Sequence, residues 1–277
     1  MLSPWPPPRR ERRLSVALPG SVLSTEETLK LKTIKAGFVG RALAMFRVDE
    51  VILYRDEDTE EADLRLAQLL LEFMVTPPHL RKKVFPLSPQ LSAAGLLPPL
   101  RLVTHDPPAE PAPGAKIEGL VVSCKGDLCK VFLGKLGTAV LLGRAEVGRR
   151  MTVVVKSMEP LVVEQSSWGK VYTGFEVRRE DLLQRAIRRS REAGEAVIAS
   201  SRLGRSVGEA AGELLSMVAR ARGALVVFGG PRLCPYEEAP HLFDMALNTV
   251  PYQGTFTVRT EEALYATLSA LTNAGVL

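Results

Sequence analysis

Three short stretches in the C-terminal half carry residues able to grip a ligand with main chain rather than with charge. They are Ser200-Ser201-Arg202-Leu203-Gly204, then Gly229-Gly230-Pro231-Arg232 after Phe228, then Val250-Pro251-Tyr252-Gln253-Gly254-Thr255. Each follows an apolar run that reads as a strand, and in open α/β sheets ligands sit beyond the carboxyl ends of strands. Glycine lets backbone approach a ligand closely and proline holds a loop in one shape. Amides and carbonyls presented in this way can hydrogen-bond an adenine edge without a charged side chain. Taken singly, each stretch also reads as an ordinary strand-to-helix turn. Arg259 is the first candidate for a cation that clamps a substrate or steadies its anion, and Arg232 is the second. Glu261 could take a proton, although its place in the first turn of a helix also suits the helix dipole.

Other chemistries lack their parts. No G-x-G-x-x-G follows a strand and no G-x-x-x-x-G-K-[ST] occurs, so the phosphate cradles of dinucleotide and P-loop proteins are missing. There is no H-E-x-x-H and no G-x-S-x-G, and His79, His105 and His241 are isolated. Cys124 and Cys129 have metal-like spacing but no second pair, so no metal is expected and they read as buried thiols. Three cysteines give an odd count that fits a reducing, cytoplasmic setting. No apolar run reaches the roughly 18 residues that span a membrane, and the first residues lack the core of a signal peptide.

The elements that must position these loops come in two textures. Leu14 to Leu18 reads as a strand stopped by Pro19-Gly20. Ser24 and Glu27 have capping-box spacing, and Leu31, Ile34, Phe38, Ala42 and Met45 repeat at helical spacing to about Phe46. Val48 to Tyr54 is a second strand, and Ala62 to Val75 a helix ended by Thr76-Pro77-Pro78. This β-α-β-α order predicts a parallel sheet. A proline-rich stretch, 106–114, then leads into five short β-rich runs between 117 and 164, punctuated by glycines, which predict a small barrel of OB type. After Val177 the alternation returns: a helix over 181–192, a strand over 195–200, a helix opened by the Ser206/Glu209 capping box and running to about Ala221, strands over 225–228 and 245–250, and a last helix that Thr260 can cap. The expected division is a basic disordered tail, 1–13, a discontinuous α/β domain, 14–100 and 166–277, and an inserted barrel, 101–165.

Charge favours a polyanionic partner. The net charge is +5 with a pI near 9.2. Residues 9–13 hold four arginines against one glutamate, whereas 225–277 hold two arginines against five carboxylates. The tail, Arg81-Lys82-Lys83, the Arg185/Arg188/Arg189/Arg191 face and the barrel are the candidate RNA contacts, and each is also readable as a solvated surface. Only two asparagines occur, Asn248 and Asn273, a depletion that points weakly to a thermophile.

The last loop and helix carry a resemblance. Asn248-Thr249-Val250-Pro251 followed by Gln253-Gly254-x-x-Thr257-Val258-Arg259-Thr260-Glu261-Glu262-Ala263 resembles the C-terminus of an archaeal and eukaryotic family of SPOUT RNA methyltransferases. Leu18-Pro19-Gly20-Ser21, Phe46-Arg47-Val48-Asp49-Glu50, Gly95 to Leu100 and Val227-Phe228-Gly229-Gly230-Pro231-Arg232 agree with it. Tyr252 and Cys234 depart from it, since glycine is usual at both. The resemblance implies a trefoil-knotted parallel sheet with an inserted small OB-like β-barrel, a homodimer, and S-adenosylmethionine held by Ser200, Ser201, Phe228, Gly229, Gly230 and Pro231, by Asn248, Val250 and Pro251, and by Gln253, Gly254, Thr255 and Val258. It implies methyl transfer to a base nitrogen or ribose oxygen of RNA, with ribosomal RNA the expected substrate and Arg41 reaching the site across the dimer. The competing expectation is a non-catalytic RNA-binding or ribosome-associated factor that keeps the scaffold; a transferase acting on protein or a small molecule is the weaker third.

Overall fold

The computed structural model describes residues 5–277; residues 1–4 of the expected tail lie outside the described part. In chain order the elements are β1 (Arg13–Pro19), α1 (Leu29–Met45), β2 (Glu50–Tyr54), α2 (Glu61–Val75), α3 (Pro78–Val84), β3 (Lys116–Lys125), β4 (Leu128–Phe132), β5 (Thr138–Leu142), β6 (Arg150–Met158) and β7 (Leu161–Gln165). There follow β8 (Glu176–Glu180), α4 (Leu183–Glu192), β9 (Glu195–Ser206), α5 (Val207–Arg220), β10 (Gly223–Val227), α6 (Pro235–Glu238), β11 (Met245–Asn248) and α7 (Thr260–Asn273). They form two compact units. One holds residues 10–72, 90–99 and 174–277; the other holds 5–9, 73–89 and 100–173.

The first unit is a six-stranded sheet in the order β11-β9-β10-β1-β2-β8, parallel throughout. β1 lies at its centre and is buried from Leu14 to Pro19, the continuous apolar run expected of a parallel strand covered on both faces. Helix α5 opens with the predicted capping box: Glu209 N–H donates to Ser206 Oγ, and Ser206 N–H to the Glu209 carboxylate. At the amino ends of the strands Arg13 bridges the buried carboxylates of Glu50 (2.9 Å) and Glu195 (3.5 Å). Burial raises both carboxyl pKa values, the arginine acting against it.

The second unit is built on a closed barrel in the order β3-β4-β5-β7-β6. All its pairings are antiparallel except the parallel one between β5 and β7. Alternate residues point inward: Ile117 and Val121, Cys129 and Val131, Ala139 and Leu141, Val153 and Val155, and Val163 fill the core. That alternation is what the five short runs predicted.

Several local expectations give way. α1 begins at Leu29, capped by Thr28, whose Oγ1 accepts from Leu31 N–H; Ser24 instead ends a 3₁₀ turn. Its apolar stripe does not face the core. Leu31, Ile34, Phe38 and Met45 are 37–54% exposed, and of the five only Ala42 is buried. The buried face is the small-residue one, Thr33, Ala36, Gly37, Val39 and Gly40, with Leu43 and Lys35. Gly37 shows why: a Cβ there would stand 2.6 Å from Pro98 Cδ, so only the smallest side chains let the 90–99 segment lie against the helix. β8 and α3 are elements the sequence did not announce, although Pro78 sits in the first turn of α3, where a missing N–H costs nothing. Ser200 to Gly204 is not a loop, because β9 runs on to Ser206 and pairs Arg205 and Ser206 with Leu247 and Asn248 of β11. The strand over 245–250 ends at Asn248, and α7 is capped at Arg259, whose N–H donates to Glu262 (2.9 Å).

The cysteines are the clearest correction. Cys124 and Cys129 are directly paired across the β3–β4 hairpin and joined in a disulfide, so they are not free thiols. The hairpin register places the two residues face to face, which spacing alone did not disclose. The arginines of the expected tail are engaged. Arg10 donates twice to the Phe46 carbonyl (3.1 and 2.7 Å), and Arg12 to that of Ala219. In the barrel unit Arg81 donates to the carbonyls of Thr76 and Met74 and lies over the Phe73 ring, so part of the Arg81-Lys82-Lys83 run is structural. On α4, Arg185 pairs with Asp181 and Arg191 with Asp244.

Among the described residues no helix is long and apolar enough to cross a membrane, and no cluster of His, Cys, Asp and Glu could hold a metal ion.

Candidate functional site

The carboxyl ends of β9, β10 and β11 and the start of α7 enclose a cavity of about 540 Å³. That is within the roughly 300–1,000 Å³ of small-molecule sites. Ser200 and Ser201 line it from β9; Phe228, Gly229, Gly230 and Pro231 line it from the turn after β10. Asn248 and Val250 come from the end of β11, and Gln253, Val258 and Arg259 from the segment before α7. Arg232 stands at the edge, 84% exposed and 3.4 Å from Asp58. Most of the expected cofactor positions therefore converge. Pro251, Gly254 and Thr255 are not among the lining residues. Nor is Arg41, which donates to the Pro99 carbonyl (3.0 Å).

Hydrogen bonds hold the three walls together. Tyr54 O–H donates to the Phe228 carbonyl (2.7 Å), and burial, reinforced by Asp56, raises the phenol pKa well above its ordinary value, so it remains a donor. Asn248 Nδ2 donates to the Arg202 carbonyl, while its Oδ1 accepts from Val250 N–H. Thr267 on α7 bonds both Ser200 (3.0 Å) and Thr249 (2.9 Å). Thr260 Oγ1 donates to the Gly229 carbonyl (3.2 Å) rather than capping its own helix. Cys234 S–H lies 3.3 Å from Ser201 Oγ, so it fills the side of the pocket where the resemblance led us to expect glycine. Gln253 Nε2 donates to the carbonyls of Thr255 and Phe256 and so shapes its own loop.

The glycines of the central turn are steric necessities. A Cβ on Gly229 would stand 2.8 Å from the Leu233 carbonyl oxygen, and one on Gly230 would stand 2.6 Å from Asp56 Oδ2. Asp56 itself accepts from Ser21 N–H and from the hydroxyls of Ser21 and Thr59, which pins the turn from behind. The result is a bare main-chain wall beside the apolar side chains of Phe228, Leu247, Val250 and Val258. This combination fits an adenosyl group: a flat apolar body with a hydrogen-bonding edge, held without a phosphate cradle. The residues that would hold S-adenosylmethionine are those of the 228–231 turn, the 248–250 segment and Val258.

Lys35 is the site residue that the sequence did not disclose. It lines the cavity although it is only 5% exposed. Its ammonium donates to Thr25 Oγ1 (2.6 Å) and stands 3.2 Å from Glu261 and 3.7 Å from Glu26. Arg259 shares both carboxylates, at 3.4 Å from Glu26 and 4.0 Å from Glu261. Glu261 is thus engaged by two cations. On α1 Lys35 follows Leu31 by four residues and precedes Phe38 by three, so it flanks the apolar stripe at a border where a lysine reads as solvated. The inverted packing of α1 buries that border, which is why it went unnoticed.

The chain is similar to known proteins over nearly its whole length. A family model described as "Putative RNA methyltransferase" matches residues 13–271. An uncharacterized protein of Haloarcula marismortui is 34% identical over 280 residues, covering 93% of this chain and 98% of that one. The human 28S rRNA (uridine-N(3))-methyltransferase is 31% identical over 304 residues, covering 95% of this chain and 78% of the human protein. Among solved structures, the SpoU methyltransferase AviRb of Streptomyces viridochromogenes in complex with the cofactor AdoMet aligns at a TM-score of 0.42 and 10% identity. That alignment covers 97% of this chain, which spans about 60% of the solved one. With a family model covering nearly its whole length, the chain belongs to this RNA methyltransferase family.

Proposed function

We propose that this protein transfers the methyl group of S-adenosylmethionine to N3 of a uridine in ribosomal RNA. The observation that carries the reading is the convergence of the ends of β9, β10 and β11 with the two cations Lys35 and Arg259 in one cavity. Family membership supplies the reaction class, and the activity named for the human relative supplies the atom. The transfer is an in-line displacement, so the protein's task is to align donor and acceptor and to ease loss of the acceptor's proton. Methyl transfer from labelled donor to unmodified ribosomal RNA, followed by nucleoside analysis, tests it. Labelled 3-methyluridine is expected; no labelled nucleoside, with no heat of donor binding at high micromolar protein, overturns it.

The same reading includes a homodimer. The exposed Leu31, Ile34, Phe38 and Met45 form one apolar row along α1, a surface suited to a second copy of the chain. The barrel's strand order, with its single parallel pairing between third and fifth strands, supports an OB-type RNA module. A threaded C-terminus is supported by α7, which bonds the β10 turn through Thr260 and the ends of β9 and β11 through Thr267. A Tyr252 ring narrowing the cofactor loop would favour the non-catalytic alternative. That ring is fully exposed and is not among the cavity's lining residues.

A further inference from the structure

Lys35 has no role in what has been said of cofactor binding, yet its position is costly. An ammonium taken out of water must be paired, and this one is held between two carboxylates and a hydroxyl while still lining the cavity. An ammonium has three protons to donate. Thr25 takes one; Glu261 Oε2 stands at ion-pair distance, 3.2 Å, without forming a hydrogen bond, and Glu26 at 3.7 Å is beyond hydrogen-bond distance. Arg259, the neighbouring cation in the lining, reaches the same Glu26 oxygen, so the two positive ends stand close together on one wall.

Resting on the reading that the acceptor is a uracil, we infer that Lys35 is a catalytic residue. It donates to a carbonyl oxygen of the imide edge, Arg259 serves the other carbonyl, and Glu26 and Glu261 are positioning residues that hold the two cations. The imide of uracil carries its N–H between two carbonyls, so removing that proton spreads negative charge onto both oxygens. Two fixed donors there stabilise the anion where its charge develops. The steps balance. The N3 proton leaves to hydroxide or a buffer base at the open side of the cavity. The N3 electron pair then forms the bond to the methyl carbon as the carbon–sulfur bond breaks, its electrons remaining on sulfur and leaving a neutral thioether. The rival ligand for Lys35 is the carboxylate of the methyl donor. The two glutamates weigh more against it, because a carboxylate would bring a full negative charge beside two like charges already on binding, whereas the imide binds neutral and its later charge is divided between two oxygens.

The charged groups around Lys35 are Glu26 from the segment before α1, Arg259 and Glu261 at the start of α7, and, one turn earlier on α1, Lys32 paired with Asp63; Thr25 adds a neutral hydroxyl. The test compares wild type, Lys35→Met and Lys35→Arg on in vitro transcribed ribosomal RNA. It reads kcat against pH at saturating donor and RNA, donor Kd by calorimetry, and Tm. Losing one such donor typically costs about 10²–10³ in kcat. Lys35→Met is therefore expected to lose at least about a hundredfold at neutral pH, with the deficit narrowing as pH rises and the unassisted imide ionises. Donor Kd should stay within threefold, and Lys35→Arg should recover part of the rate. A pH-independent deficit with donor Kd weakened tenfold or more overturns the assignment in favour of the donor carboxylate. A rate that follows a lowered Tm and returns on cooling overturns it in favour of a structural role. A wild type that methylates no uracil overturns the functional reading itself, whereas a uracil-methylating wild type matched by Lys35→Met at every pH overturns only the role of Lys35.

Discussion

Gly204 lies against the Ala246–Leu247 backbone of β11, where the pairing register shifts, and replacing it with alanine isolates one steric constraint. A Cβ at this position would stand 2.5 Å from Ala246 C and Leu247 N and 2.6 Å from Leu247 C, against the 3.4–4 Å of ordinary contact. The obstacle is backbone, so no rotamer change relieves it, and the strands must part by about 1 Å. Overpacking of this kind costs about 1–3 kcal/mol, and the pairing of Arg205 with Leu247 and of Ser206 with Asn248 is disturbed as well, so about 3 kcal/mol is expected. For a unit of this size that corresponds to a fall in Tm of about 6–12 °C. The shift also moves Leu247, Asn248 and Thr249, which line the cavity, so donor affinity should weaken at least tenfold. Differential scanning calorimetry and isothermal titration with S-adenosylmethionine, run on Gly204→Ala beside wild type, give both numbers. A variant whose Tm lies within 2 °C and whose donor Kd lies within twofold of wild type would show that the close approach of the strands constrains neither stability nor site.

Gly212→Ala is the converse case. Gly212 lies on the exposed side of α5 with nothing within 4 Å of a built Cβ, so chemical denaturation should show a gain of about 0.5–1 kcal/mol. Ser206→Ala removes both the hydroxyl that caps α5 and its capping box and should cost about 1 kcal/mol by the same measurement, a neutral result ruling out the cap as a contributor. His105 is buried and its pKa is lowered to about 4, chiefly by desolvation. Its contribution is therefore full above pH 6.5 and is lost as pH falls through 4, about 3 kcal/mol in all, and urea unfolding of His105→Gln should show a shallower acid decline than wild type between pH 7 and 4. The disulfide closes only a short hairpin, so Cys124→Ser with Cys129→Ser should cost about 2 kcal/mol or less in stability and leave donor Kd unchanged; a weakened Kd would mean that the hairpin bears on the site.

Much of this was legible in the residues because periodicity reports burial. The run Leu14–Leu18 reads as a strand and proves to be one buried along its length, and the alternation around Ile117, Val121, Val131 and Leu141 reads as a small barrel, whose core those residues fill. The turn at 229–231 was legible because a proline beside paired glycines limits the backbone to few shapes. α1 misled for the same reason in reverse. Most of its large apolar residues are outer ones, and apart from Val39 and Leu43 its packing face is made of small or polar residues, so the helical repeat of Leu31, Ile34, Phe38 and Met45 marks an exposed side. The continuation of β9 through Ser206 was hidden because its last six residues are partly polar and exposed, and they are strand only because β11 pairs with them. Lys35 was hidden by the first of these effects. Its burial is created by Glu26 and Glu261, which are 9 and 226 positions away in sequence.

The bonds made by α7 have a consequence for how the protein comes to be active. Thr260 and Thr267 close the cavity from the last helix, and Arg259, at its cap, supplies one of the two cations of its charged wall. A chain that has formed its central strands but not yet docked α7 has the floor of the pocket without its closing wall, so the ability to bind the methyl donor is acquired with the packing of that one helix rather than with the sheet.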